Sequence, residues 1–241
     1  MRRVLVTGAG RGLGLEFARQ CLARGDRVFA GVRQPEESPA LQALVVAYPD
    51  QLSVLRLNVV DQASIEASWE MVRQHVDGLE LLINNAGINS MSKDSTDPAS
   101  HLQFGRLDPE RMLAMFRVNA IAPLMMIQRY LDLLKAGVEP RIVNISSWLA
   151  SLTQKTQGGN YSYCASKTAL NMLTRILAFD VIQFGIVAVV VNPGWVQTDM
   201  GGPRAALTPE QSVRGLLQVV DSLTAKDAGR FLQWNGAEHP W

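Results

Sequence analysis

The chain of 241 residues has little of what several protein classes need. Its formal charge is only +1, from 23 Lys and Arg against 22 Asp and Glu, and Arg2-Arg3 is its one short basic run. Nucleic-acid binding is therefore not expected, because neutralising phosphates takes clustered cations. No apolar run exceeds the six residues at 186–191, far below the roughly 20 of a spanning helix, so no membrane partner is expected. The opening Val4-Leu5-Val6 is no signal-peptide core, which points to the cytoplasm. Two cysteines, Cys21 and Cys164, stand far apart, so a disulfide framework is not expected and a reducing compartment is. His75, His101 and His239 show neither a His-x-Glu nor a His-x3-His spacing, and there is no Cys-x2-Cys, so no metal site is expected.

What is present is a regular alternation. With 47% hydrophobic and 19% charged residues the chain has the balance of a compact soluble protein. Short β-branched runs predict strands at 4–7, 27–32, 53–58, 81–84, 141–145, 186–192 and 230–234. Between them, helical patterns cover 12–24, 39–48, 61–75, 108–137, 163–184 and 208–222, several with start signals such as Asp108-Pro109 and Thr208-Pro209. Continuous apolar strands separated by helices specify an α/β fold, a doubly wound parallel sheet of about seven strands with helices on both faces. No linker, repeat or low-complexity tract divides the chain, so 1–241 is expected to be a single domain, with 89–105 a long polar loop.

The first strand runs into Thr7-Gly8-Ala9-Gly10-Arg11-Gly12-Leu13-Gly14. Glycines between a strand and a helix let backbone N–H groups approach a pyrophosphate. The strict Gly-x-Gly-x-x-Gly fingerprint fails at Leu13, and no Gly-Lys-Ser/Thr makes a P-loop, so by itself the turn could be only a tight turn. A second motif is Tyr163-Cys164-Ala165-Ser166-Lys167. Tyr and Lys four apart share a helix face, where an ammonium can stabilise a phenolate, although an ordinary surface pair has the same spacing.

The order of motifs resembles that of the short-chain dehydrogenase/reductase family over essentially the whole length. Thr7-Gly8-x3-Gly12-x-Gly14 follows the first strand and Asn84-Asn85-Ala86-Gly87 the fourth; Asn119 lies in a long helix, Ser146-Ser147 ends the fifth strand, then come Tyr163-x3-Lys167 and Pro193-Gly194-x3-Thr198. Gly158-Gly159-Asn160-Tyr161, the stretch from Pro193 to Gly202 and the tail Glu238-His239-Pro240-Trp241 are similar to the C-factor/Sniffer-type carbonyl reductase subgroup. The resemblance implies a Rossmann-like fold and an oxidoreductase moving hydride between NADPH and a small-molecule carbonyl or alcohol. By it, Tyr163 is the general acid, Lys167 lowers its pKa and holds the nicotinamide ribose, Ser147 orients the carbonyl, and Asn119 holds a water for proton resupply. The Ser147-to-Tyr163 stretch is slightly longer than the family's commonest spacing, so a local bulge is expected.

Cofactor contacts carry over to Gly8, Gly10, Arg11, Gly12, Leu13 and Gly14, to Asn58 and Val59 at adenine, to Asn85, Ala86 and Gly87, and to Pro193, Gly194, Val196 and Thr198 near the nicotinamide. The family often has Asp where Asn58 stands; Asn can still accept and donate. At the end of the second strand, NAD-selective sites place an acid, whereas this chain has Val32 and then Arg33. NADP(H) is therefore expected over NAD(H), with Arg33 and Arg11 on the 2′-phosphate. Trp148, Trp195 and Met200, with the 89–105 loop, are expected to wall the substrate space. No Arg or Lys falls within 148–153 or 195–200, so an uncharged substrate is expected. The two long helices are suited to pairing with those of a second copy, as a homodimer or homotetramer. A nucleotide-binding signalling or scaffold protein that keeps the reductase fold is the alternative reading.

Overall fold

The computed structural model describes residues 1–89 and 104–241. The apolar runs become β1 (Arg3–Thr7), β2 (Arg27–Val32), β3 (Leu52–Arg56), β4 (Leu81–Asn84), β5 (Arg141–Ile145), β6 (Val187–Asn192) and β7 (Phe231–Gln233). They form one sheet in the order β3-β2-β1-β4-β5-β6-β7, parallel at every pairing. Successive side chains of a strand point to opposite faces. Val4 and Val6 of β1 therefore pack with Phe17 and Cys21 of α1 (Gly12–Ala23), Leu41 of α2 (Pro39–Ala47) and Leu216 of α7 (Pro209–Ser222). Leu5 joins the other layer, with Ile65 of α3 (Gln62–Arg73), Tyr130 of α5 (Ala122–Lys135) and Ala178 of α6 (Tyr161–Val181).

The helices begin where the sequence stops them from fraying. Asp61 accepts from the Ala63 N–H at 3.1 Å, Asp108 accepts from the Glu110 N–H at 2.9 Å, and Thr208 and Gln211 form a reciprocal capping box. The helix expected over 108–137 is interrupted: α4 (Pro109–Phe116) passes through a π turn, Arg117–Ile121, before α5. Pro123 is the physical reason, since it has no N–H to continue an α-helical ladder. The Ala122 N–H instead reaches back to the Arg117 carbonyl. The helix expected from 163 starts two residues earlier, at Tyr161, after Asn160 adopts a left-handed conformation with φ of 53°. Of the expected loop at 89–105, residues 90–103, His101 among them, lie outside the described ones.

From β1 the chain winds outward through β2 and β3, then returns to set β4 on the other side of β1. The reversal opens a crevice beyond the carboxyl ends of β1 and β4, the place where open α/β sheets hold ligands. Among the described residues no helix is long and apolar enough to cross a membrane.

The fully buried Tyr130 hydroxyl lies 2.8 Å from Ser68 Oγ, joining α5 to α3. Tyr130→Phe keeps the ring and deletes this bond, so a loss of about 1 kcal/mol and a Tm lower by roughly 2–4 °C are expected. Thermal denaturation measures it, and an unchanged Tm would show that the bond adds nothing.

Candidate active site

The crevice is braced before anything binds in it. Thr7 Oγ1 at the end of β1 accepts from the Asn85 and Ala86 N–H groups, both at 3.0 Å, and Asn85 Nδ2 donates to the carbonyls of Thr7 (3.0 Å) and Gly8 (3.1 Å). The Asn85 side chain thus fastens the two turns together, which leaves Ala86 and Gly87 to line the opening. Gly8 and Gly12 have positive φ, 68° and 55°. A Cβ on Gly14 would stand 2.2 Å from the Gly8 carbonyl oxygen and 2.5 Å from Asn85 Nδ2. Only a bare backbone fits there. Ser38 Oγ donates to the Gly10 carbonyl at 2.5 Å and holds the outer side of the turn, while Leu13 packs against the apolar core.

Helix α1 starts in this turn without a side-chain cap and without an acid in its first turn. Its leading N–H groups are those that α3, α4 and α7 cover with Asp61, Asp108 and Thr208, and here an anion can take them. Val32 is buried at the end of β2, and Arg33 beyond it is exposed. Arg56 next to it pairs with Glu36 at 2.9 Å. Arg11 meets Asp199 at 3.3 Å, an exposed ion pair joining the glycine turn to the segment after β6. Asn58 Oδ1 accepts from the Val60 N–H at 3.4 Å, a local turn at the end of the third strand run, and Val59 is buried beside it.

The other wall belongs to β5, the π turn and α6. Ser146 donates to Asn171 Oδ1 at 2.6 Å in the core, whereas Ser147 Oγ caps the 3-10 turn Trp148–Ala150 by accepting from the Leu149 N–H at 3.2 Å. Ser147 also lies near enough to the Tyr163 hydroxyl to favour its ionised form. That separates the two serines: one is structural and the other faces the phenol. In place of the expected drop, burial pushes the Tyr163 phenol up to about 12, with Ser147 opposing it. Burial draws Lys167 down to about 8. Lys167 Nζ donates to the Ile145 carbonyl at 2.8 Å and stands 6.0 Å from the Tyr163 ring centroid.

Asn119, fully buried in the π turn, accepts from the Ile88 N–H and donates to the Ile88 carbonyl, both at 2.9 Å, and donates to Ser166 Oγ at 3.0 Å. Ser166 in turn donates to the Tyr163 carbonyl at 2.9 Å. A Cβ on Gly87 would lie 3.3 Å from Asn119 Oδ1 and 3.4 Å from Lys167 Nζ, so the two walls meet at that glycine. The sequence reading missed Ser166 and Ile88 as the partners that aim Asn119. Ser166, three residues after Tyr163 on a helix, was the available clue.

Trp148 and Trp195 are both half-exposed, and Met200, five residues after Trp195, lies at the surface. Trp195 Nε1 donates to the Gly201 carbonyl at 2.8 Å, and Thr198 Oγ1 accepts from the Gly201 N–H at 3.1 Å, so 195–201 is a tied loop. Val196 is buried and bridges to Leu207; Gly194 has φ of 80°; Pro193 accepts from Ser212 Oγ at 2.7 Å. Thr198 Cγ2 comes within 3.3 Å of where a Gly12 Cβ would be, which brings this loop over the glycine turn. Between Ser147 and Tyr163, residues 152–158 are exposed. Among the described residues no group of three His, Cys, Asp or Glu is placed to hold a metal.

A family model described as short chain dehydrogenase matches residues 2–207. The chain belongs to that family. As a short-chain dehydrogenase it is an oxidoreductase, and its Rossmann-like sheet superposes along its full length on carbonyl reductases. The NADPH-bound carbonyl reductase from chicken fatty liver is 38% identical, with a TM-score of 0.90 over 100% of this chain and 99% of that one. The carbonyl reductase Sniffer of D. melanogaster is 28% identical, with a TM-score of 0.91 over 100% of both. The C-signal of Myxococcus xanthus is 40% identical over 163 residues, 68% of this chain and 93% of that protein.

Gly14→Ala forces a methyl group onto the Gly8 carbonyl, so a destabilisation of about 1–3 kcal/mol is expected, together with weaker dinucleotide binding. Thermal melts with and without NADPH report both, and a variant that melts and binds like wild type would refute the close-approach argument.

Proposed function

We propose that the protein is an NADP(H)-dependent carbonyl reductase that acts on uncharged carbonyls or the corresponding alcohols. The observation that carries this is the convergence of Ser147, Tyr163 and Lys167 beside Gly87, at the reversal point of the sheet. The residues fit the coenzyme: the uncapped start of α1 and the bare Gly8, Gly10, Gly12 and Gly14 would hold the pyrophosphate, Lys167 the ribose, Asn58 and Val59 the adenine, and 193–198 the nicotinamide amide. When bound, NADPH supplies the hydride. Preference for the 2′-phosphate is supported by Val32 where an acid would repel it, by Arg33 beyond it, and by the NADPH-bound chicken reductase. Arg11 can add to this, because an exposed ion pair such as its contact with Asp199 is weak and exchangeable.

Reduction leaves negative charge on the carbonyl oxygen, and the neutral Tyr163 phenol is the form that can give it a proton while Ser147 donates a hydrogen bond. Lys167 keeps its charge below pH about 8 and loses it above, so reduction is fastest on the acid side of that value. The Asn119 side chain is occupied by Ile88 and Ser166; its carbonyl is the group that lacks an α-helical donor, because Pro123 four residues on has no N–H. That carbonyl holds the water for proton resupply. Trp148, Trp195 and Met200 wall an apolar substrate space. The whole of 1–241 acts as one domain in a reducing cytoplasm, where Cys21 and Cys164 stay free thiols. Two copies pair through an apolar groove of about 290 Å³ on α5 and α6, lined by Leu124, Ile127, Leu131, Leu173, Ile176 and Phe184.

The 40% identity to the C-signal supports a second reading, a signalling protein of this fold. Mixing the protein with NADPH and a panel of aldehydes, ketones and quinones, and following coenzyme absorbance, separates the two: turnover supports the reductase, and none with any member rejects it. Tyr163→Phe is expected to lower kcat about 10²–10⁴-fold with NADPH affinity retained; comparable turnover would reject Tyr163 as the acid. Arg33→Asp is expected to shift preference towards NADH, and equal use of both coenzymes by wild type would sink the arginine argument. Light scattering at micromolar concentration is expected to give a dimer or tetramer mass; a monomer overturns the pairing.

A further inference from the structure

After β7 the chain turns at Gly236 and runs back along the outer edge of the sheet. The Gln233 N–H donates to the Ala237 carbonyl at 2.7 Å, the His239 N–H donates to the Phe231 carbonyl at 2.8 Å, and Leu232 bridges Glu238 in antiparallel fashion. The strap then leaves the sheet and grips the segment that follows Ser147. The Trp241 carbonyl accepts from the Thr153 N–H (2.8 Å), from Thr153 Oγ1 (2.6 Å) and from Ser151 Oγ (3.1 Å). The Trp241 ring is held between Phe231, at 5.6 Å, and the Arg175 guanidinium of α6, at 5.1 Å.

His239 is the buried centre of this contact. It stands edge-on to Phe231 at 4.6 Å, 4% exposed. It also lies close enough to the Trp148 backbone to be weakly stabilised by it, although neither ring nitrogen makes a full hydrogen bond. Leaving both nitrogens without a partner in a buried place costs stability, which a hydrocarbon side chain would avoid. The 3-10 turn Trp148–Ala150 is therefore held from two sides. On one, Thr168 Oγ1 of α6 donates to the Ala150 carbonyl at 2.9 Å; on the other, His239 lies beside Trp148 and the Trp241 carbonyl holds Ser151 and Thr153, which follow the turn. Ser147 is the cap of that turn and Trp148 its first residue, so whatever holds the turn aims the serine and the indole together.

We propose that the returning segment 237–241 is a positioning element for Ser147 and Trp148, with His239 and the Trp241 carbonyl as its two points of grip, and that it sets which carbonyls the site accepts. This rests on the carbonyl reductase reading for its kinetic consequence, but not for its structural one. The glycine turn and the Asn85 brace, the proposed pyrophosphate end of the coenzyme site, belong to β1 and β4, on the far side of β5 and β6 from the strap, so that end lies outside its reach.

The test compares wild type, His239→Ala and the exposed-site variant Thr153→Ala by hydrogen–deuterium exchange without coenzyme, and by steady-state kinetics with NADPH on one compact and one bulky neutral carbonyl. Amides in 148–153 are expected to exchange about tenfold faster in the variants, with 8–14 and 85–88 unchanged, as a local opening requires. The kcat/KM ratio between the two carbonyls is expected to move about tenfold through KM more than kcat. Unchanged exchange at 148–153 in both variants overturns the inference, and so does acceleration spread evenly along the chain, which would make the strap a general brace. If His239→Ala does not fold, Thr153→Ala alone decides. The exchange result needs no turnover, so a wild type that reduces no carbonyl rejects the reductase reading and leaves the strap to be judged by exchange.

Discussion

Three consecutive residues, the last two of β5 and Ser146 just beyond it, are stitched to one face of α6. The Asn144 amide donates to Thr174 Oγ1 at 2.8 Å, the Ile145 carbonyl accepts from Lys167 Nζ at 2.8 Å, and Ser146 donates to Asn171 Oδ1 at 2.6 Å. Lys167, Asn171 and Thr174 repeat at helical spacing, so the seam runs straight along the contact. Apolar packing is non-directional, and many small slides of a helix over a sheet bury the same area. A buried hydrogen bond is not so tolerant, since breaking it strands both partners. The seam therefore fixes where Tyr163 stands relative to Ser147, one residue beyond its end. Asn84 Nδ2 extends it to β4 by donating to Asn144 Oδ1 at 2.8 Å, which ties the phenol wall to the coenzyme wall.

The same seam places a phenol and an ammonium where bulk water is largely excluded. Burial favours the neutral form of each, up to about 12 for Tyr163 and down to about 8 for Lys167. For a core this is a defect, because apolar residues of similar size would fold more stably. For proton transfer it is useful: the phenol keeps its proton across the neutral range and the lysine stays poised to exchange its own. Ser147 is the one side chain that favours the phenolate here. On the proposed reading, this couples the acid directly to the serine that faces the substrate.

Most of the scaffold was legible because periodicity and stop signals agree. Continuous apolar runs predicted all seven strands within a residue or two, and Asp61, Asp108 and Thr208 marked helix starts that are capped in the structure. Four-residue spacing brought Tyr163 and Lys167 to one side of α6, as expected. What the sequence hid was long-range. Pro123 was visible, yet a π turn that points Asn119 at Ile88 depends on contacts with a loop 31 residues away in sequence. Asn85 read as a coenzyme contact, but only the pairing of β1 with β4 reveals it as a brace on Thr7 and Gly8. Arg11 read as a phosphate clamp, and its partner Asp199 stands 188 residues away. Local pattern specifies elements; partners across the fold specify what a polar side chain does.

Seven parallel strands leave two open rims, and a row of unpaired backbone groups invites another chain to add to it. At β7 the row is occupied from within, since 237–239 already hydrogen-bond to Phe231 and Gln233. At β3 the strand ends on exposed Arg56, paired with Glu36. One rim is thus closed by backbone and the other guarded by charge. A sheet capped in this way resists strand-by-strand growth into aggregates, and the molecule keeps its surface for contacts made by helices.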